Sequence, residues 1–253
     1  MADGAALPAT YDWAKRTNGT LSGAERAAIK RGIRSGYGDL ARGVTIGPLR
    51  RSKASGDFPT APDSRLARVA EEAADEQTPA LRGHGYRTWL IGAALAEHDA
   101  ATVDAELLYI TSLLHDSGMM AEVVGQDFTV RSGENLIAVC EKADAPDRGI
   151  PAADAAVAHA TPGLHFDDNP VGFYVQSGAM ADLAGLRFWD LPRGYLRRTY
   201  QAHPANGVHV EVPQLIRTEA RDVPDGRFAM LRSSGVDRMV SISPTRRFAR
   251  LSG

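Results

Sequence analysis

A histidine and an aspartate stand side by side, His115-Asp116, at the end of an apolar run spanning residues 105–114. The run carries apolar side chains on nearly every face, which predicts a helix buried in the core, capped by Thr102. A buried aspartate is costly unless a cation or hydrogen bonds compensate its charge. We therefore expect His115 and Asp116 to bind a metal ion.

A second His-Asp pair, His98-Asp99, provides a comparison. It lies at a polar helix end beside an expected loop, so its charges can remain in contact with water and need no partner. The dipeptide alone is therefore weak support for a metal site. The apolar run before His115 distinguishes the two pairs.

Two further residues are candidates to complete a metal site. His84 lies between Gly83 and Gly85 on an otherwise apolar helix, and Asp182 lies between apolar residues in a later one. Gly178, one turn before Asp182, leaves room for another element to approach. Two imidazoles and two carboxylates form a mixed nitrogen and oxygen ligand set, which suits Zn, Fe, Mn, Co or Ni and disfavours Cu(I).

Each candidate also has a structural interpretation. His84 alone could be a core histidine, and Asp182 could be the ion-pair partner of Arg87. Arg87 could bind an anionic group of a substrate or hold a carboxylate ligand in place. His159, at the end of a helix opening at Pro151, is either a catalytic or a structural histidine.

Composition narrows the class of protein. The 253 residues are 43% hydrophobic and 24% charged, as in ordinary globular proteins, and the formal charge of -2 argues against a nucleic-acid partner. No apolar run approaches the roughly 20 residues that span a bilayer, and the N-terminus shows no secretory signal. The single Cys140 lies in an apolar run and is expected to be a buried packing thiol. We expect a cytoplasmic protein without a membrane partner, and a homo-oligomer remains open.

Helix signals predict one all-α domain. We expect an N-terminal extension (1–62), a metal-binding helical domain (63–205) and a C-terminal segment packed on the same domain (206–253). Ser22 begins a capping box whose helix should end near Arg34, before Gly36 and Gly38, and residues 43–62 should form a loop. Further helices are predicted at 64–76, 78–97, 105–116, 135–143 after a Ser132 cap, 151–159, 170–185, and from an Asp190 cap to Pro204, with 208–212 as the best strand candidate.

The order His84, His115-Asp116, Asp182 resembles the H…HD…D signature of the HD-domain superfamily of metal-dependent hydrolases. The local sequences 83–88, 106–109, 113–118 and 190–204, together with His159, are similar to the cyanamide hydratase-like branch. The resemblance covers roughly residues 63–205. It implies an all-helical HD fold with an N-terminal extension and metal ligands at His84, His115, Asp116 and Asp182.

The chain departs from the two-metal members of that superfamily, which carry two more histidines before the final aspartate. Here only His159 lies at a helical position; His165, in a loop, is a possible substitute. We therefore expect one divalent ion, with Zn or Fe foremost and Mn, Co or Ni as alternatives. HD nucleotidases with an acidic residue shortly after the pair are matched poorly, because residues 117–120 read Ser-Gly-Met-Met.

The expected function is a metal-dependent hydratase or hydrolase acting on a small molecule. A bound ion would lower the pKa of water toward about 7, with Asp116 or His159 transferring protons and Arg87 assisting. On a nitrile-type carbon the reaction is hydration, as of cyanamide to urea. Two alternatives remain, a nucleotide or phosphomonoester hydrolase and a non-catalytic HD-fold binding or regulatory module. Only Arg87 and Arg131 could neutralise a phosphate, which favours a small substrate in an apolar pocket.

Overall fold

The computed structural model describes residues 7–47 and 51–249, and within these ranges it contains helices and no β-strand. The predicted all-α fold is confirmed. The α-helices are α1 (Tyr11–Thr17), α2 (Gly23–Ile46), α3 (Arg65–Asp75), α4 (Pro79–His98), α5 (Ala105–Leu114), α6 (Phe128–Lys142), α7 (Gly149–His159), α8 (Pro170–Ala184), α9 (Tyr195–Ala202), α10 (Val208–Asp222), α11 (Arg227–Ser233), α12 (Val236–Ser241) and α13 (Arg246–Ala249).

Helix α5 lies at the centre of the core, and every residue from Leu107 to Leu114 is buried. It packs against α3, α4, α6, α7 and α8. A helix that is apolar on all sides needs such enclosure, because any exposed face would leave large side chains in water. The end of α5, where His115 and Asp116 follow, is thereby placed inside the protein.

Helices α4 and α8 approach each other closely because glycines lie at their contact. A Cβ atom at Gly178 would lie 2.2 Å from the Thr88 carbonyl oxygen, and one at Gly92 would lie 2.7 Å from that of Tyr174. No larger residue fits at either position without moving the helices apart. The expectation that Gly178 allows another element to approach is confirmed.

Helix α2 is longer than the sequence predicted. It starts at the expected Ser22 capping box but continues through Gly36 and Gly38 to Ile46. A helical glycine costs only about 1 kcal/mol relative to alanine, and packing can outweigh that cost. At Gly32 a Cβ atom would lie 2.4 Å from the Pro162 backbone, so this glycine allows α2 to rest on the 162–163 turn.

Three predicted caps are replaced by other residues. Helix α5 is capped by Asp104 rather than Thr102, since the Asp104 side chain accepts from the Leu107 amide. Helix α6 begins earlier than expected, at an Asp127 cap, which leaves Ser132 inside the helix. The Asp190 carboxylate pairs with Arg187 in a short 3₁₀ turn, and α9 starts only after Gly194. A nearby acceptor displaced the expected cap in the first two cases.

The predicted strand at 208–212 is wrong, because these residues open α10. Gly207 adopts the left-handed conformation before the helix, with φ 86°. Val208, Val212 and Ile216 then fall four residues apart on one buried face. The alternating valines therefore reflect part of a helical stripe rather than a strand.

The two ends of the chain pack on the central helices. Helix α1 contacts α6 and α7, and α10 contacts α4, α11 and α12. Cys140 is buried in α6, as expected, and burial raises the pKa of its thiol to about 11. None of the helices in the described part of the chain combines the length and apolar character needed to cross a membrane.

Candidate metal centre

Three histidine rings converge on one carboxylate where α4, α5 and α7 meet. His84 lies within α4, His115 and Asp116 follow α5, and His159 is the last residue of α7; all four side chains are buried. The Oδ2 atom of Asp116 lies 3.2 Å from His115 Nε2 and 3.6 Å from His84 Nε2. The other oxygen, Oδ1, lies 3.5 Å from His159 Nε2.

Glycines allow the backbone segments that carry these residues to approach one another. A Cβ atom at Gly85 would lie 2.9 Å from the Leu113 carbonyl oxygen, so α4 contacts the end of α5 beside His84. A Cβ atom at Gly118 would lie 2.1 Å from the Phe128 carbonyl oxygen, which places the turn after Asp116 against α6. The Gly118 amide also donates to Ser132 Oγ at 2.9 Å. The geometry of the centre is therefore set by backbone contact.

The Nδ1 atom of each ring is engaged by an acceptor. His115 Nδ1 donates to the Ser112 carbonyl at 2.8 Å, and His159 Nδ1 donates to the Ala156 carbonyl. His84 Nδ1 donates to Asp182 Oδ2 at 2.7 Å. Because a neutral imidazole carries one hydrogen, each Nε2 then has a free lone pair facing Asp116. This is the tautomer that a metal ion needs.

Two of these Nε2 atoms, in His84 and His115, are buried and have no hydrogen-bond partner in the described structure. Burying a polar atom without a hydrogen bond destabilises the folded protein by about 1–3 kcal/mol. Two such atoms side by side therefore call for an explanation. One ligand atom from each of His84, His115 and Asp116 lies within 4.8 Å of the others. Ligands bound about 2.0–2.1 Å from one tetrahedral ion lie roughly 3.3 Å apart. The separations of 3.2 and 3.6 Å match that spacing, so the residues fit a divalent ion.

The protonation states of His84, His159 and Asp116 suit cation binding. Burial lowers the pKa of His84 and of His159, which favours the neutral rings. For His115 burial also opposes the charge, but the adjacent Asp116 carboxylate outweighs it and raises the pKa, so a cation bound at Nε2 would displace a proton from this ring. Burial disfavours the Asp116 anion too, yet His115 holds the pKa of that carboxyl well below its usual value. Asp116 is thus ionised at neutral pH.

Asp182 reaches the centre, but its carboxylate is already engaged. Its two oxygens accept from Arg87 Nε at 2.8 Å and Arg87 Nη2 at 2.9 Å, and Oδ2 also accepts from His84. Asp182 is absent from the group of described residues whose ligand atoms converge. The geometry therefore departs from the predicted four-ligand set, and the alternative ion pair with Arg87 is observed. Arg87 outweighs the effect of burial and lowers the pKa of Asp182.

The Arg87 side chain does not reach a substrate position. It is fully buried, and its Nη1 donates to the carbonyls of His203 and Pro204 in addition to the bonds with Asp182. Its guanidinium also lies 4.7 Å from the centre of the Tyr200 ring. This geometry does not support the predicted catalytic role, because the guanidinium of Arg87 already donates hydrogen bonds to Asp182 and to the 203–204 backbone.

Two other histidine expectations are corrected. His165, the possible substitute ligand, is exposed in a turn and does not line the centre. His98, expected to be exposed, is buried because the segment after residue 50 covers it, and its Nδ1 accepts from the Lys53 amide at 3.0 Å. Asp99 is exposed as expected and pairs with Arg187 at 2.8 Å.

A cavity of about 200 Å³ opens onto the metal centre. His84, His115, Asp116 and His159 form its base. Its walls come from α2, α8, α10, α11 and α12, and include Ile33, Leu40, Met180, Ile216, Phe228 and Met239. No lysine or arginine lines it in the described chain. The terminal segments, whose role the sequence left undecided, therefore build the walls. The spacing of Ile33, Tyr37 and Leu40 on one helical face was the signal for this role.

No known family model matches the chain, and no curated protein matches it either. The likeness to HD-domain proteins therefore remains a prediction from the motifs. What supports metal chemistry is the arrangement of His84, His115 and Asp116 itself.

Proposed function

We propose that this protein is a metal-dependent enzyme that adds water to a small, uncharged electrophile. The observation that carries the proposal is the pair of unpartnered Nε2 atoms, in His84 and His115, facing the ionised Asp116 at the base of an apolar cavity. The walls are almost entirely apolar and screen charge weakly, so a charge bound there interacts strongly with its neighbours.

In this proposal His84, His115 and Asp116 hold one divalent ion, with zinc or iron foremost and manganese, cobalt or nickel as alternatives. A divalent ion supplies Lewis acidity and lowers the pKa of water toward about 7. Asp182 and Arg87 do not bind the ion in this proposal but support the ligand His84. Asp182 holds the His84 ring in the required tautomer, and Arg87 keeps Asp182 ionised and fixed.

His159 is the candidate for proton transfer. Its Nδ1 hydrogen is engaged by Ala156, so only Nε2 can take up a proton and return it. Burial lowers the pKa of His159, which leaves Nε2 unprotonated at neutral pH and able to act as a base. The side chain lines the cavity, where a reacting molecule would lie.

The cavity favours hydration of a nitrile-type carbon over phosphate ester hydrolysis. Phosphoryl transfer needs cationic groups around the phosphate oxygens. Arg87 is spent on Asp182, and Arg131 donates to the Gly118 and Gln126 carbonyls and to Glu219. A nitrile is uncharged, and water adds across its triple bond to give an amide. The HD-domain resemblance points the same way, with conversion of cyanamide to urea as the nearest reaction.

The proposal is tested by stripping the protein of metal, reloading it with Zn, Fe(II), Mn, Co or Ni in turn, and measuring metal content and turnover. We expect about one ion per chain. We also expect amide or urea formation from nitriles or cyanamide, without phosphate release from phosphomonoesters. His115→Ala should abolish both metal retention and turnover, whereas His98→Ala should retain both. Failure to bind any of the metals would contradict the proposed metal centre. Phosphate release would contradict the proposed class of substrate.

A further inference from the structure

Gln176, on α8, lines the cavity in an orientation that its neighbours determine. Its Nε2 atom donates to the His159 carbonyl at 2.7 Å and to the Thr161 carbonyl at 2.9 Å. An amide rotated by 180° would place its oxygen against both carbonyl oxygens, so the observed orientation is the stable one. Both amide hydrogens are used, and the Oε1 atom is what the side chain can still offer as an acceptor.

The rest of the described wall is almost entirely apolar. Outside the metal centre, the polar side chains that line the cavity are those of Gln176 and Tyr37. The Tyr37 hydroxyl donates to the Ser234 carbonyl at 2.5 Å, so its hydrogen is also used. The walls therefore present acceptor oxygens and apolar surface to a bound molecule. Their side chains present neither a charge nor a free donor hydrogen.

We propose, building on the function above, that the substrate carries an apolar body and an N–H or O–H group beside its reacting carbon. The apolar body fills the space that continues from the metal centre between α2, α11 and α12, and the donor hydrogen binds Gln176 Oε1. Gln176 is then a specificity-determining residue. It selects donors near His159, because the carbonyl that anchors Gln176 belongs to His159 itself.

This inference predicts how affinity changes with ligand structure. Each methylene moved from water to an apolar wall strengthens binding about fourfold. A neutral hydrogen bond to Gln176 strengthens it by about 2- to 10-fold. A charged group of equal length meets no compensating charge on the walls and binds poorly.

The test uses straight-chain primary amides from acetamide to hexanamide as probes, with calorimetry on both metal-loaded and metal-stripped protein. We expect affinity to rise about fourfold per methylene in both forms until the cavity is full. Because the walls belong to the chain, this trend survives in the stripped protein even if the proposed enzyme activity is wrong. Affinity that stays flat along the series would overturn the inference, as would hexanoate or pentylammonium binding the stripped protein as tightly as hexanamide.

Two variants separate the apolar wall from the donor site. Val236→Trp adds an indole ring to the α12 wall and takes up space in the cavity, so it should weaken hexanamide at least tenfold while leaving the much smaller acetamide unchanged. Val210→Trp, at an exposed position outside the cavity, should change neither. Gln176→Leu should remove the 2- to 10-fold preference for hexanamide over 2-heptanone, a ketone of similar length without N–H groups. Retention of that preference in a folded Gln176→Leu protein would exclude Gln176 as the donor-selecting residue.

Discussion

The protein contains the same His-Asp dipeptide twice, and the two copies differ in how their polar atoms are satisfied. His98 and His115 are both buried. His98 accepts a hydrogen bond at Nδ1 from the Lys53 amide, whereas His115 donates from Nδ1 to the Ser112 carbonyl. The neutral forms of the two rings would therefore be opposite tautomers. Only His115 presents an unpartnered lone pair at Nε2.

The two aspartates complete the contrast. Asp99 is exposed and is held by Arg187 and by the Tyr174 hydroxyl. Asp116 is buried, and the groups that face it are three ring nitrogens at 3.2–3.6 Å. Burial of the histidine is thus shared by both copies and cannot distinguish them. The two copies are distinguished by the tautomer of the histidine and by whether a cationic side chain pairs with the aspartate. Both depend on the residues that the fold places around the dipeptide.

The largest expected difference in metal affinity and turnover is between substitutions of the two aspartates. Asp116→Asn removes the anionic ligand, so we expect metal affinity to fall at least 100-fold and turnover to disappear. Asp99→Asn removes a partly exposed ion pair with Arg187 and alters the acceptor of the Tyr174 hydroxyl, both outside the metal centre, so metal content should stay at about one ion per chain. Elemental analysis after gel filtration measures both. Equal metal retention in the two variants would mean that Asp116 is not a ligand.

A second prediction concerns the groups behind the ligands. Asp182→Asn leaves Arg87 buried without its anion, which should cost about 3–5 kcal/mol of unfolding free energy. It also loosens His84 and should weaken metal binding about 10- to 100-fold. Arg187→Met, which breaks the ion pair of the other dipeptide, is the matched control and should leave metal affinity unchanged. Denaturant titration and metal-binding isotherms give the two quantities, and unaltered metal affinity in folded Asp182→Asn would exclude the positioning role.

A third prediction tests the helix contact that brings Asp182 to His84. Gly178→Ala places a methyl group 2.2 Å from the Thr88 carbonyl oxygen, so α4 and α8 must separate. We expect a loss of about 1–3 kcal/mol of stability together with weaker metal binding. Gly38→Ala is the control, since a Cβ there meets no atom within 4 Å, and it should stabilise α2 by about 1 kcal/mol. Stability of Gly178→Ala equal to that of Gly38→Ala would show that the close contact is not needed.

The smallest effect concerns another buried histidine outside the metal centre, His209, whose Nε2 lies 2.8 Å from Thr245 Oγ1. Burial lowers its pKa from 6.5 to about 4. The unfolded chain therefore binds more protons between pH 4 and 6.5, so stability contributed by neutral His209 is present above pH 6.5 and is lost as pH falls toward 4. His209→Gln should reduce the slope of the unfolding free energy against pH in this window. The reduction should correspond to less than one proton taken up on unfolding. An unchanged slope would contradict the lowered pKa.

Local pattern was sufficient to predict the helical class and three of the converging residues. The apolar run before His115 and the glycines beside His84 report burial and close packing directly in the sequence. The choice between the two roles of Asp182, metal ligand or ion-pair partner of Arg87, could not be made this way, because the sequence does not show how closely the Arg87 side chain approaches its oxygens. The cavity walls were also beyond local reasoning, since they join α2 to α10–α12 across more than 160 residues of chain.

The division between base and walls has a consequence for how such a chain can change. The proposed ligands lie on α4 and after α5, with His159 on α7, while most of the wall comes from the first and last quarters of the sequence. Substitutions in those outer quarters can reshape what fits inside while the inner helices keep the chemistry. Related chains could therefore share one reaction and differ widely in the compounds that they accept.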